Sequence, residues 1–283
     1  PSDFVLWKPS KYDEPKWNSP WGEGRPGWHL ECSAMSEKCL GLPFDIHAGG
    51  VDLTFPHHEN EIAQSEGANS CKFVNTWMHV GFVNIDDEKM SKSLKNFFTI
   101  RDVLKNYDGE TLRYFLISSH YRSPLNYSEA NIDNAQSALK RLYNAIKGLD
   151  KNVEDKSLIN TDFEKKFNAA LNDDFNTPMA LSILFEIAKQ INIERTNNLK
   201  KAGALSSELV KLGNYIGILE YNADEYMKQG TELTESDITK KIKQRESARS
   251  SKDFAMSDQI RDELFELGII LEDSVNGTTW RRK

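Results

Sequence analysis

An α/β domain, then an α-helical bundle, then a small C-terminal α/β module is the fold class predicted by the 283-residue sequence. Three observations predict it. Up to about residue 120, short apolar runs and Gly- and Pro-rich turns alternate with brief helical signals. From Ser128 onward apolar residues recur at helical spacing. Near the end, two β-like runs flank Asn276-Gly277, a dipeptide suited to a tight hairpin turn.

The elements follow in order. Phe44-Asp45-Ile46-His47 reads as a short strand with Gly49-Gly50 as its turn, and a helix follows from about Pro56 to Ser65. Trp77 to Ile85 reads as further strand and loop. Ile100 to Ser118 contains a helix with apolar Val103, Leu104, Leu112, Phe115 and Leu116. This mixture places ligand loops at strand ends. Ser128 is an N-cap for a helix whose face is Ile132, Ala135, Leu139, Leu142, Tyr143 and Ile146, stopped by Gly148. A helix around Phe163 to Leu171 precedes Thr177-Pro178, read as a cap with proline at the first helical position. Leu181, Leu184, Phe185, Ala188 and Ile191 form the next buried stripe, and Leu205 to Leu219 a further amphipathic segment. Tyr221 to Glu235 reads as a polar linker. Helices near Ser236–Arg249 and Asp253–Leu267, the second ended by Gly268, lead into the hairpin.

Composition narrows the function classes. Hydrophobic residues at 39% and charged residues at 28% make an ordinary globular balance, and no apolar run approaches the roughly 20 residues of a membrane span. The N-terminus lacks a signal-peptide pattern. Three cysteines are too few for a disulfide framework, which favours a reducing cytoplasm. With 36 basic and 43 acidic residues the formal charge is −7, so a nucleic-acid partner must be met by local patches. The opening Phe4-Val5-Leu6-Trp7-Lys8-Pro9 reads like the inside of a domain, so an N-terminal part is expected to be missing.

Two constellations carry chemistry. In Pro56-His57-His58-Glu59-Asn60-Glu61, at the predicted helix start, His57 and Glu61 lie one turn apart on the same face, a spacing that suits one metal ion. His58 is an alternative partner for Glu61 at three residues' spacing. Cys32, within Gly27-Trp28-His29-Leu30-Glu31-Cys32, is placed to supply a thiolate from another loop; Cys, His and Glu together suit zinc better than magnesium or calcium. Spacing alone favours the blander account, a solvated helix turn beside a buried cysteine. Cys39 and Cys71 read as structural. The second constellation is Lys89-Met90-Ser91-Lys92-Ser93, two lysines flanking hydroxyl residues on a loop, which suits ATP phosphates and the charge that develops on diphosphate.

Lys89 to Ser93 spells the KMSKS signature of class I aminoacyl-tRNA synthetases. With Gly27-Trp28-His29-Leu30-Glu31-Cys32-Ser33-Ala34-Met35 and Phe55-Pro56-His57-His58-Glu59-Asn60-Glu61 before it, the chain resembles the cysteinyl-tRNA synthetases. The resemblance continues through Tyr121-Arg122-Ser123-Pro124-Leu125-Asn126-Tyr127-Ser128, Asp174-Phe175-Asn176-Thr177-Pro178 and Gly277-Thr278-Thr279-Trp280-Arg281-Arg282-Lys283, nearly the whole chain. It implies the second half of a Rossmann-like class I synthetase catalytic domain over residues 1–119. A helical tRNA-binding bundle over 120–222 and an anticodon-recognition module over 236–283 follow.

The family's activity is the ATP-dependent activation of cysteine and its transfer to tRNA(Cys), in the cytoplasm and with a monomeric enzyme. The resemblance implies one Zn2+ per chain, held by Cys32, His57, Glu61 and a cysteine of the N-terminal part, and binding the substrate sulfur directly. A metal–sulfur bond separates cysteine from serine, which differ by one atom, and no editing domain is then needed. Trp28 resembles the aromatic wall over the bound amino acid, with a core tryptophan as the alternative. Gly49-Gly50-Val51-Asp52 resembles the adenosine-holding segment, Gly50 letting the nucleotide approach the backbone and Asp52 facing the ribose. Lys92, supported by Lys89, is the phosphate ligand and catalytic lysine, with Mg2+ accompanying ATP.

The HIGH motif is absent. The 283-residue chain by itself is therefore expected neither to activate cysteine nor to hold zinc tightly. On the tRNA side, Lys240, Lys241, Lys243, Arg245, Arg249, Lys252, Arg281, Arg282 and Lys283 supply local positive charge. Trp280 beside Arg281 and Arg282 is either a stacking platform for an anticodon base or a core residue of the small module. The rival readings are a related ligase joining cysteine to an amino-sugar, a non-catalytic tRNA-binding protein, and a structural zinc protein unrelated to ATP.

Overall fold

The computed structural model describes residues 4–85, 88–89, 99–150, 158, 161–227, 235–251, 253–274 and 277–282. The chain divides into two compact units, Pro1–Phe97 with Tyr121–Tyr127, and Phe98–His120 with Ser128–Lys283.

In the first unit, strands β1 (Trp7–Pro9) and β2 (Gly24–Pro26) form an antiparallel pair ahead of helix α1 (Trp28–Leu40). Strand β3 (Phe44–Gly50) pairs in parallel with β4 (Val74–Val80), and a parallel pair needs a crossover between its strands. Here the crossover is a tight turn Val51–Leu53, a wider turn Thr54–His58 and helix α2 (Glu59–Asn69). Phe44, Phe73 and Val74 make the small core, with Leu42, Ile62 and Trp77 packed on it. Strands β5 (Val83–Ile85), β6 (Glu88–Lys89) and β7 (Leu125–Tyr127) form a third sheet in the order β6-β5-β7.

Two sequence expectations change here. Cys32 lies on α1, not on a loop, because in this helix polar and apolar side chains share faces and the periodicity gives no signal. Gly49 and Gly50 end strand β3; the turn comes after them.

The second unit begins with α3 (Ile100–Val103) and α4 (Gly109–Ile117), two helices where the sequence suggested one. Asp108 caps α4, its carboxylate accepting from the Glu110 and Thr111 amides, so the chain restarts at Asp108-Gly109. Helix α5 (Glu129–Ile146) is capped by Ser128, which accepts from the Asn131 amide, and all six apolar positions expected on its face are buried. Helices α6 (Thr161–Asn172), α7 (Thr177–Asn197) and α8 (Leu199–Tyr215) complete the bundle. The cap of α7 is Asn176, accepting from the Met179 amide, one residue earlier than Thr177. Phe185 is only half-buried, while Ile183 and Ile187 enter the core beside Leu181, Leu184, Ala188 and Ile191.

Part of the expected linker is structured. Helix α9 (Ala223–Tyr226) packs into the bundle with Tyr226 and Met227 buried. Tyr226 stacks on Tyr143 at 3.9 Å. The Tyr143 hydroxyl donates to buried Glu110 at 2.7 Å, and the Glu220 amide donates to the same carboxylate at 3.0 Å. Each buried polar group is thus answered by another, which favours one arrangement of these segments.

The C-terminal module consists of α10 (Glu235–Ser250), α11 (Phe254–Glu266) and an antiparallel hairpin, β8 (Ile269–Ser274) and β9 (Gly277–Arg282). Its core is Ile238, Ile242, Ile260, Leu264, Ile269, Leu271 and Trp280. Trp280 is 9% exposed in that core, opposite Leu271, so its ring faces are not offered to a base. The basic patch also shrinks. Arg245 is buried and holds Asp273 through both terminal nitrogens at 2.9 and 2.7 Å; Arg249 reaches the same carboxylate, and Lys241 pairs with Glu263. Lys240 and Lys243 remain exposed, Arg281 and Arg282 are described through their backbone in β9, and Lys252 and Lys283 lie outside the described residues. Among the described residues no helix is long and apolar enough to cross a membrane.

Candidate metal centre and cleft

Five of the six histidines gather in the first unit, around a single carboxylate. The sheet register explains two of them. His47 pairs opposite Trp77 and Gly49 opposite His79, so these four positions share one face of the β3–β4 pair. The turn Thr54–His58 and the start of α2 supply His57, His58 and Glu61. Helix α1 is held against α2 by the buried Ser33 hydroxyl, which donates to Gln64 at 2.8 Å, and this sets the neighbouring Cys32 toward Glu61.

Glu61 is fully buried. One oxygen lies 2.7 Å from His57 Nε2 and the other 3.1 Å from His47 Nε2, yet neither contact has the alignment of a hydrogen bond. A buried carboxylate left in that condition is costly, and donors converging on it without bonding it are arranged as metal ligands are. Candidate ligand atoms of Cys32, His57 and Glu61 lie within 4.8 Å of one another.

The electrostatics agree. Burial lowers the pKa values of His47 and His57, and that of His58 falls to about 4 through burial and then the neighbouring His47 and His79. The imidazoles are therefore neutral, the form that ligates metals. Burial raises the Glu61 pKa, and burial followed by the Glu61 charge raises that of the Cys32 thiol. In the absence of a cation these acids resist ionisation; a bound cation would reverse that balance. A borderline-soft divalent ion such as zinc fits this Cys, His and Glu set.

Outer contacts fix the rings. His29 Nδ1 lies 2.7 Å from His57 Nδ1, and His58 Nδ1 lies 2.8 Å from His79 Nε2. Sequence reasoning missed His29, His47 and His79. The available signal was the crowding of five histidines between residues 29 and 79.

A cleft of about 780 Å3 borders the centre, lined in part by Trp28, His29, Phe55, Pro56, Asn60, Lys8 and Arg25. Trp28 is 70% exposed at the start of α1 and stands 5.4 Å from the His57 ring. It is not a core tryptophan. A larger cleft of about 910 Å3, between α5 and α7 around Arg141 and Phe185, contains none of the candidate metal ligands.

Asp52 is exposed on the turn after β3, and a Cβ on Gly50 would sit 2.5 Å from its Oδ1. At Gly49 a Cβ would meet His58 Cε1 at 2.9 Å and Leu53 at 3.1 Å. Gly49→Ala is therefore expected to destabilise the first unit by about 1–3 kcal/mol, because His58 is buried and held by His79. Urea unfolding followed by tryptophan fluorescence checks this; an unchanged midpoint would mean that the imidazole moves freely. Lys92 lies outside the described residues, and Lys89 is described only through its backbone, paired with Asn84.

Known proteins resemble this chain in sequence and in fold. A family model for the class I (C) tRNA synthetase catalytic domain matches residues 1–137, a DALR domain model residues 166–220, and a cysteinyl-tRNA ligase anticodon binding domain model residues 236–281. A cysteine–tRNA ligase of Yersinia enterocolitica is 57% identical over 286 aligned residues, and one of Yersinia pseudotuberculosis is 56% identical. Both alignments cover 100% of this chain, which spans 62% of the length of these relatives. Among solved structures, the ternary complex of Agrobacterium radiobacter K84 agnB2 LeuRS with tRNA and LeuAMS aligns with a TM-score of 0.56 at 15% identity. That alignment covers 75% of this chain and 33% of the other, and it supports a class I synthetase fold. The chain belongs to the cysteinyl-tRNA synthetase family.

Proposed function

We propose that this chain serves the activation of cysteine and its loading onto tRNA(Cys). The carboxylate of cysteine attacks the α-phosphorus of ATP, diphosphate leaves, and the terminal ribose hydroxyl of the tRNA then takes the cysteinyl group from AMP. The observation that carries this reading is the fully buried Glu61 with Cys32 and His57 converging on it and neither imidazole hydrogen-bonded to its oxygens. When bound there, zinc holds the substrate sulfur as a thiolate, a preference that a serine hydroxyl does not share.

In this reading Cys32, His57 and Glu61 are the chain's ligands, and His29 fixes the His57 ring. Trp28 walls the amino-acid side of the cleft. Gly50 and Asp52 receive the adenosine, while Lys92 and Lys89 hold the ATP phosphates, with Mg2+ as their counter-ion. Residues 1–119 would carry this chemistry, 120–222 the tRNA body and 236–283 the anticodon. With Trp280 in the core, the exposed Lys240 and Lys243 and the β9 arginines are the anticodon-side candidates. Catalysis rests on positioning and charge stabilisation, with no covalent enzyme intermediate.

The test is amino-acid-dependent ATP–diphosphate exchange and tRNA(Cys) charging by the chain alone and by the chain joined to the N-terminal part of the Yersinia enterocolitica relative. Exchange with cysteine but not serine, lost on Glu61→Gln, supports the proposal. Equal exchange with serine, or charging indifferent to Glu61→Gln, overturns it.

A further inference from the structure

The helical bundle carries a groove of its own, remote in sequence from the metal ligands. It runs between α5 and α7 and measures about 910 Å3. Small residues open it: Ala145 and Ala188 are buried at its floor, so the longer side chains beside them stand as walls. The walls are held in place. The Arg195 guanidinium, on α7, donates to carbonyls at the end of α5, at 3.0 Å to Ala145 and 2.6 Å to Lys147, which ties one helix to the other.

What the walls present is cationic and amidic. On α5, Arg141 and Asn144 are exposed one turn apart; on α7, Glu186, Lys189 and Asn192 follow at three-residue spacing along one face. The Arg141 guanidinium carbon lies 5.1 Å from the centre of the half-buried Phe185 ring. Such a contact holds the guanidinium plane without using its N–H donors. Among the described residues neither Arg141 nor Lys189 has a carboxylate partner. Glu186 is the one acid among the described lining residues, and Lys166 of α6 stands 3.8 Å from it. Three cations therefore accompany one anion here, in a chain whose formal charge is −7. Cations and amides along an open trough suit a polyanion lying in it better than a small ligand enclosed on all sides.

We propose that this groove receives the sugar–phosphate backbone of the tRNA body, with Arg141 and Lys189 each meeting a phosphate and Asn144 and Asn192 meeting ribose hydroxyls. The proposal rests on the tRNA reading given above and adds to it one face of the bundle and the residues that grip there. Contacts of this kind carry no base sequence; they fix where the RNA lies on the bundle.

The test is binding of a tRNA(Cys) transcript to the chain, followed by fluorescence anisotropy at several salt concentrations. Arg141→Gln and Lys189→Gln are each expected to weaken binding about threefold to tenfold and to lower the slope of log affinity against log salt by about 1. Glu186→Gln removes the acid and should tighten binding about twofold, a gain that a misfolded variant cannot mimic. Unchanged affinity and salt slope in Arg141→Gln and Lys189→Gln, with both folded by circular dichroism, overturn the proposal. Hydroxyl-radical footprinting locates the contact. The double variant Arg141→Gln, Lys189→Gln should lose protection over one stretch of the tRNA body and keep it over the anticodon loop. A footprint identical to that of the unmutated chain would leave the groove to a protein partner and overturns the proposal. Failure of the tRNA reading itself looks different, because the unmutated chain then protects no nucleotide and both proposals fall together.

Discussion

Glu61→Gln is expected to weaken zinc binding at the Cys32–His57–Glu61 set at least about 100-fold while making the metal-free chain more stable, by about 1 kcal/mol or more. The two effects share one cause. The carboxylate is wholly buried, burial raises its pKa with only the Cys32 thiol opposing it, and neither neighbouring imidazole is aligned to hydrogen-bond it. Without a metal this is an unfavourable place for a negative charge; with one, that charge is what binds the cation. A neutral amide of the same shape removes the penalty together with the ligand. Zinc titration by competition with a chelator reads the first effect, and urea unfolding of the metal-free protein reads the second. A metal-free chain destabilised by the substitution would mean that Glu61 serves packing, and the metal centre would lose its main support.

A second buried carboxylate, Glu208 on α8, is expected to limit the bundle's stability in a pH-dependent way. It is 3% exposed, and its pKa is pushed up to about 7 by burial, with the neighbouring Glu164 charge adding to the shift and Lys211 and the Glu164 backbone opposing it. The folded chain therefore holds this proton more tightly than the unfolded chain does. The destabilisation is absent below the ordinary value of 4.5, grows as pH rises toward 7 and is constant above that. A shift of this size corresponds to about 3 kcal/mol, part of which a buried glutamine amide would forfeit. Glu208→Gln should thus stabilise the chain by about 2 kcal/mol at pH 8 and by little at pH 4.5. Urea midpoints at the two pH values decide the matter. An equal gain at both would show that the effect is packing and not ionisation.

The contrast between these two glutamates shows where sequence reading works. Glu61 was legible because His57 stands one turn away and because the surrounding motifs resemble a family with a metal in that place. Glu208 was not, since it sits among polar neighbours in a helix and its burial arises from how α6 and α8 pack. The same division runs through the fold. The α5 face and its Ser128 cap follow from local spacing and appear as expected. The break at Asp108-Gly109, the helix beneath Cys32 and the burial of Tyr226 depend on partners distant in sequence. His47 and His79 come together through strand register, which periodicity alone cannot supply. Trp280 shows the reverse hazard: an aromatic beside two arginines invites a stacking role, yet the hairpin turns it inward.

The segment after α8 bears on where the chain is best divided. The DALR match ends at residue 220, but the bundle does not. The Tyr221 amide donates to the Tyr143 hydroxyl, and the Tyr226 hydroxyl sits 3.2 Å from Thr111 Oγ1. A bundle cut at residue 220 would strip one ring from the Tyr143 stack and open a polar interior to water. Residue 227 is the earliest safe end for an expressed or transplanted bundle, because the end of the matched domain and the end of the packed bundle differ here by seven residues, about two helical turns.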